Sequence, residues 1–193
     1  MAKTKQRKKV LVLLGSPRKH GNSALLAEKI AKGARSKGAQ VETVLVQTLR
    51  IAPCKSCYAC QKKGSKGCAI DDDMQPLFRK LVAADAWVIA SPVFWFTMSA
   101  QTKLWMDRTF ALPAYAKNPF QGKRIAIAMS YGGEDPFDSG CVNALRTFQD
   151  AYGYVGAEIV GIVYGSALEA GEIKTNKTLI AAAEELGRKL IAE

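Results

Sequence analysis

The sequence predicts an α/β domain: a five-stranded parallel sheet in the order 2-1-3-4-5, with helices on both faces as a three-layer sandwich. Three observations predict it. Short apolar runs alternate with stretches of helical period along the whole chain. The first run, Val10-Leu11-Val12-Leu13-Leu14, is unbroken, as a strand covered on both faces requires. The chain has 193 residues, 48% of them apolar and 23% charged, which is enough for one core without disulfide support. The right-handed crossover rule then leaves few topologies, and ligands are expected at the carboxyl ends of the strands, where the strand order reverses.

Each element has a local reason. After the first strand, Leu26, Ile30 and Ala34 recur every four residues, so Asn22 to Lys37 reads as a helix stopped at Gly38. Val41 to Val46 alternates as a second strand. Gln47 to Asp71 has no period, and so long a loop is usually functional or disordered. Three aspartates then open a helix from Asp72 to Ala83, where negative charge suits the helix dipole. Ala86 to Ala90 is the third strand, Ser99 to Phe110 a helix and Arg124 to Met129 the fourth strand. Ser139 to Tyr152 is a helix and Glu158 to Tyr164 the fifth strand. A last helix carries Leu179, Ala182, Ala183, Leu186 and Leu190 on one stripe.

Composition and charge exclude several classes. The chain is neither disordered, collagen-like nor disulfide-dense. No stretch approaches the ~20 apolar residues of a bilayer span, so no membrane role is expected. The short apolar run after the basic start does not make a signal peptide, and a cytoplasmic location is expected. Net charge is +11, with Lys3, Lys5, Arg7, Lys8 and Lys9 in the first nine residues. Residues 1–8 read as a basic flexible tail and 9–193 as a single domain. Without a recognition helix or an RNA-binding platform, specific nucleic-acid binding is not expected.

Three loops carry the candidate chemistry. Gly15-Ser16-Pro17-Arg18-Lys19-His20-Gly21-Asn22-Ser23 leads from the first strand into the first helix. Hydroxyls, a guanidinium and free backbone N–H groups at a helix start suit a phosphate. The spacing is not that of a Walker loop or of the dinucleotide fingerprint; an ordinary turn capped by Asn22 or Ser23 is the bland alternative, and the position at the expected ligand edge favours phosphate. His20, the single histidine, excludes any site built from several imidazoles. Ser91-Pro92-Val93-Phe94-Trp95-Phe96 follows the third strand, either as a wall for a flat apolar ring or as an aromatic cap on the core. Ser130-Tyr131-Gly132-Gly133 follows the fourth, where two glycines permit close backbone approach.

Five cysteines complete the inventory, four of them in the loop at 48–71. Cys54, Cys57, Cys60 and Cys68 share the short spacing of metal or redox sites, and Cys141 stands apart as a small buried residue. A [4Fe–4S] cluster, zinc and a metal-free loop all remain open. Zinc sites with four cysteines usually separate two Cys-x2-Cys pairs, and ferredoxins place the fourth ligand and the proline differently. Lys55, Lys62, Lys63 and Lys66 would offset the negative charge of a cluster.

Together, Gly-Ser-Pro-Arg-x-x-Gly-Asn-Ser, the Pro-Cys-x-x-Cys-x-x-Cys run and Ser-Pro-Val-Phe-Trp-Phe-x-Met-Ser-Ala-Gln-x-Lys resemble the flavodoxin-like NADPH-dependent FMN reductase family, closest to its iron–sulfur flavoprotein branch. The resemblance implies FMN, its phosphate held by Ser16, Arg18, Gly21, Asn22 and Ser23. It sets the ring against Pro92, Val93, Phe94, Trp95, Phe96 and the loop Ser130, Tyr131, Gly132 and Gly133. It also implies electrons taken from NAD(P)H by hydride transfer and passed to a flavin, quinone or one-electron acceptor, with Cys54, Cys57, Cys60 and Cys68 as ligands of a possible [4Fe–4S] cluster. No side chain need act as catalyst, because the chemistry lies on the FMN. The alternative is an electron-transfer carrier serving protein partners such as ferredoxin. A homodimer or homotetramer is expected in either case.

Overall fold

The computed structural model describes residues 7–192; most of the expected basic tail, residues 1–6, lies outside them. Strands β1 (Lys9–Leu14), β2 (Gln40–Leu45), β3 (Ala86–Phe94), β5 (Arg124–Tyr131) and β6 (Glu158–Ser166) form a parallel sheet in the order β2-β1-β3-β5-β6. This is the expected order. The sixth strand, β4 (Thr97–Met98), lies off that path and pairs antiparallel with β3.

Side chains of β1 point alternately to the two faces, and each face has its own core. Leu11 and Leu13 join Leu77, Phe78, Trp87, Trp105 and Phe148 under α2 (Met74–Ala83), α3 (Ala100–Arg108) and α4 (Cys141–Tyr154). Val10 and Val12 join Leu26, Ile30, Val88, Leu186 and Leu190 under α1 (Asn22–Ser36) and α5 (Lys177–Ile191). Two buried faces explain why β1 and β3 read as unbroken apolar runs.

On the second face the helices approach closely. A methyl added at Gly187 would sit 1.9 Å from the Ile30 carbonyl oxygen, and one at Gly33 1.9 Å from that of Glu184. Backbone therefore packs on backbone where α1 and α5 meet, and only glycine fits there.

The elements differ from the expected ones mainly at their ends. The third strand continues through Phe94, and α2 begins at Met74 because Asp72 and Asp73 are used otherwise. Asp72 accepts from the Met74 and Ala52 N–H groups at 3.0 and 2.9 Å, and Asp73 from Arg50 N–H at 2.7 Å. The expected helix from Ser99 ends at Arg108 and runs on as 3-10 turns to Ala114, ahead of which Pro113 cannot donate.

In the first core the Tyr152 hydroxyl is buried with no hydrogen-bond partner among the described residues, and burial pushes its ionisation well above the ordinary phenol range. Tyr152→Phe removes an unpaired polar group and keeps the ring, which stacks on Phe148 at 6.3 Å. Urea unfolding should show a gain of about 1 kcal/mol.

Candidate functional site

All three candidate loops leave the same edge of the sheet. Leu14 pairs with Ala90, and Pro92 with Ser130, so the ends of β1, β3 and β5 lie side by side. A buried hydroxyl network sets their spacing. Ser99 Oγ donates to the Gly15 carbonyl at 2.7 Å and accepts from Thr102 N–H at 3.2 Å, while Ser91 Oγ accepts from Ser99 N–H at 2.9 Å. The Gly15 N–H donates to the Ala90 carbonyl at 2.8 Å. A methyl on Gly15 would fall 1.8 Å from Thr102 Oγ1. The role of Ser99 was not visible in the sequence, since its partner Gly15 lies 84 residues earlier, and Thr102 joins the network through Ser99.

The first loop exposes Pro17 to His20 between buried Ser16 and buried Gly21. Ser16 Oγ accepts from Arg18 N–H at 3.1 Å. Ser23 is 1% exposed and its hydroxyl has no partner among the described residues, beside helix-start amides that lack intrahelical acceptors. Asn22 acts differently from expectation. Its side-chain amide donates to the carbonyls of Ala167 and Glu169 at 3.1 and 2.8 Å, and its oxygen accepts from Gly171 and Ile173 N–H at 2.9 and 3.3 Å. That leaves its backbone amide, and no side-chain atom, to face a ligand. Arg18 is exposed and free to turn toward one.

The second loop is a tight hairpin. Phe94 pairs with Thr97, leaving Trp95 and Phe96 as a two-residue turn with φ of 47° and 64°. Both angles suit a type I′ turn, which favours Asn-Gly; bulky side chains there cost roughly 1–2 kcal/mol each. Asn143 Nδ2 donates to the Phe96 carbonyl at 3.0 Å, and a methyl on Gly140 would fall 2.4 Å from that oxygen. The result is an aromatic ledge: Trp95 is 92% exposed, with Phe94 and Phe96 half-exposed beside it, while Pro92 and Val93 are partly buried beneath. Trp95→Asn combined with Phe96→Gly should raise thermal stability by about 1–3 kcal/mol and remove the ledge. Thermal unfolding monitored by circular dichroism reads the gain.

In the third loop Ser130 and Tyr131 are buried and Gly132 and Gly133 exposed. A methyl on Gly132 would press Leu168 at 3.1 Å, and one on Gly133 would meet Ser139 Oγ at 2.3 Å. Burial pushes the Tyr131 hydroxyl above its usual range. Behind this loop Cys141 is fully buried, and burial pushes its thiol up to about 11, so it packs as an inert residue.

An unpaired buried hydroxyl at a helix start, glycines on neighbouring loops and an aromatic ledge at one sheet edge suit a phosphate-bearing ligand with a flat ring. The opposite edge offers less. Its cavity of about 310 Å³ is lined by Lys8, Asp85, Lys123 and Arg124, among others. Lys123 Nζ donates to the carbonyls of Val82 and Ala84, and Arg124 Nε to that of Leu190 at 3.1 Å. Those two cations cap helix ends.

The cysteine loop is tied down at both ends by one buried charge. Arg108 is 1% exposed and forks onto Asp72, Nη1 to Oδ2 at 2.6 Å and Nη2 to Oδ1 at 3.1 Å. Nη1 also donates to the Ala52 carbonyl at 2.7 Å, and Nη2 to Cys68 Sγ at 3.4 Å. Burial alone would push the Asp72 carboxyl up; the Arg108, Ala52 and Met74 donors together outweigh it and hold the group below its ordinary value. Tyr115 Oη accepts from Cys68 N–H at 3.1 Å and donates to Gln75 Oε1 at 2.8 Å. Cys54 and Cys57 are exposed, Cys60 and Cys68 partly buried, and all four are free thiols. Four soft donors on one lysine-bearing loop suit an iron–sulfur cluster in kind. As placed they do not form its seat: among the described residues no three His, Cys, Asp or Glu side chains converge on a metal position.

The family model for NADPH-dependent FMN reductase matches residues 8–170. An iron-sulfur flavoprotein of Methanosarcina thermophila is 34% identical over 125 residues, 65% of this chain and 63% of that protein. One from Methanocaldococcus jannaschii is 34% identical over 146 residues, 75% of this chain and 70% of its own length. The chain thus spans less than two thirds of the first of these. Among solved structures, the NAD(P)H:quinone oxidoreductase of Methanothermobacter marburgensis superposes with a TM-score of 0.72 at 18% identity, over 97% of this chain and 99% of that one. An FMN-dependent NADH-azoreductase of Bacillus anthracis, solved in complex with FMN, gives 0.67 at 14% identity, over 97% and 100%. These two likenesses speak for the fold; the family model and the sequence relatives go further, and on them the chain belongs to the NADPH-dependent FMN reductase family, in its iron–sulfur flavoprotein branch.

Proposed function

We propose that this chain, with residues 9–193 as one FMN-binding domain, is a cytoplasmic oxidoreductase that takes electrons from NAD(P)H and passes them to a flavin, a quinone or a one-electron acceptor. The observation that carries the reading is the buried, unpartnered Ser23 hydroxyl at the start of α1, at the sheet edge shared with the aromatic ledge. FMN bound there supplies a ring that accepts hydride from a nicotinamide and releases electrons to the acceptor. The protein's part is to bind and orient. Ser23 Oγ, the helix-start amides and Arg18 hold the phosphate, with Ser16 and Gly21 shaping the turn and Asn22 bracing it. Pro92 to Phe96 carry the ring's apolar side and shed water from it. Ser130 to Gly133 bring backbone close to its polar edge, where N–H groups favour the negative charge of the reduced ring.

Protein purified from cells should be yellow and release FMN on denaturation. Colourless protein that takes up no added FMN overturns the reading. Ser23→Ala deletes one hydrogen bond to a charged group, worth about 1.5–3 kcal/mol, so fluorescence titration should show FMN bound roughly 10–100-fold more weakly.

The cysteine run is the second centre in this proposal: Cys54, Cys57, Cys60 and Cys68 carry a [4Fe–4S] cluster once the loop gathers them. The Cys-x2-Cys-x2-Cys-x7-Cys spacing and the iron-sulfur flavoproteins among the relatives support it. Anaerobic preparations should hold about four irons and as many sulfides per chain. Exposed Trp95, Phe96 and Phe137 favour a homodimer or homotetramer, read by analytical ultracentrifugation.

A further inference from the structure

The turn that carries the aromatic ledge is strained, and the start of α4 holds it. Trp95 and Phe96 sit at φ of 47° and 64°, a backbone conformation that bulky side chains disfavour. Gly140 lies flat against Phe96: a methyl there would fall 2.4 Å from the Phe96 carbonyl oxygen, 2.5 Å from its Cα and 2.6 Å from its Cβ. Three residues on, Asn143 Nδ2 donates to the same carbonyl at 3.0 Å. On the other side, Ser139 Oγ lies 2.3 Å from where a methyl on Gly133 would sit, and it is buried without a partner among the described residues. Residues 139 and 140 therefore press on both the second loop and the third, each contact allowed by a glycine. The segment that carries them is itself fixed. Ser139 N–H donates to the Asp135 carbonyl and Gly140 N–H to that of Phe137, both at 3.0 Å. Asp135 Oδ1 accepts from Phe137 and Asp138 N–H at 2.7 and 3.2 Å.

We propose that Gly140 and Asn143 are positioning residues for the flavin ring: the start of α4 is a wedge that seats the Trp95–Phe96 turn and sets its distance from the loop Ser130 to Gly133. This rests on the reading of this sheet edge as the FMN site. Both residues act through the ledge and not on the ring. Glycine serves position 140 twice, by accepting a φ of 73° and by leaving room for Phe96. The two roles are separable. Gly122 has the same φ of 73°, yet nothing lies within 4 Å of its Cβ position. Alanine at 122 therefore carries the backbone strain alone, whereas alanine at 140 adds a push against the hairpin.

The test is a titration of flavin-depleted full-length protein with FMN, read as affinity and as the emission of the bound flavin. An indole in contact with an excited flavin quenches it by electron transfer, so that emission reports how close Trp95 stays; Trp87 and Trp105 are buried in the core. Gly140→Ala should bind FMN roughly 3–10-fold more weakly, the worth of one aromatic contact, and leave the bound flavin brighter. Asn143→Leu, at an exposed position that leaves the core alone, should move both readouts the same way by a smaller step, and serves if Gly140→Ala does not fold. Gly122→Ala should match wild type in both. Trp95→Asn with Phe96→Gly removes the ledge, so adding Gly140→Ala to that pair should change FMN affinity less than twofold further. Three results overturn the proposal: affinity within twofold of wild type and unchanged emission in both Gly140→Ala and Asn143→Leu, an equal loss in Gly122→Ala, or the full Gly140→Ala loss persisting without the ledge. A wild type that takes up no FMN overturns the reading of the edge and this inference together, whereas FMN binding indifferent to residues 140 and 143 overturns the inference alone.

Discussion

Asp72→Asn lowers stability by about 3–5 kcal/mol, the cost of leaving a buried guanidinium without its counter-charge. Arg108 is 1% exposed, and its other neighbours are a carbonyl, a thiol and the Phe78 ring, 5.9 Å from the guanidinium carbon. None of these carries the formal charge that the carboxylate supplies. For a chain of this size the loss lowers Tm by roughly 6–20 °C. The pH dependence tests the same bond. The folded Asp72 carboxyl lies below its unfolded value of about 3.9, so its contribution is fully present above that pH. It is lost as pH falls through the lower folded value. Wild type should therefore shed stability on acidification below about pH 4 more steeply than Asp72→Asn. Parallel acid-unfolding curves decide it, and superimposable slopes would discard the ion pair as a source of acid sensitivity.

Gly187→Ala is the second large effect. Alanine is the better helix former by about 1 kcal/mol, so propensity alone predicts a gain. The structure predicts the opposite sign, because the new methyl would lie 1.9 Å from the Ile30 carbonyl oxygen and 2.9 Å from the Ala34 nitrogen. Backbone cannot turn aside as a side chain can, so α1 and α5 must separate and unpack Ile30, Leu186 and Leu190. The expected loss is about 3 kcal/mol, or roughly 6–12 °C in Tm. Gly33→Ala presses on the same crossing from the other helix, so combining the two should cost less than their sum. An unchanged or raised Tm in either single variant would refute the close approach.

The sheet order was legible because its inner strands are apolar on both faces, as in Val10 to Leu14, and because helical periods separate them. The ligand edge followed from that order. What stayed hidden was long-range or contrary to local preference. The β3–β4 hairpin turns on Trp95-Phe96, the reverse of the Asn-Gly signal that marks such turns. The Arg108–Asp72 fork joins positions 36 residues apart, and neither looks unusual among its neighbours in sequence. The three aspartates suggest the helix dipole, while two of them bind the Arg50 and Ala52 N–H groups at the start of the cysteine loop. Asn22 sits in the expected phosphate loop, yet its side chain faces a segment nearly 150 residues later.

That last bond has a consequence for how the protein is made. Residue 22 leaves the ribosome early, but its side chain finds its acceptors and donors only after residues 167–173 have emerged. Until then the turn at the head of α1 lacks its brace, however complete the first strands are. The turn proposed to hold the FMN phosphate is therefore braced only in the nearly finished chain, and a nascent polypeptide stalled short of residue 167 is expected to bind no FMN.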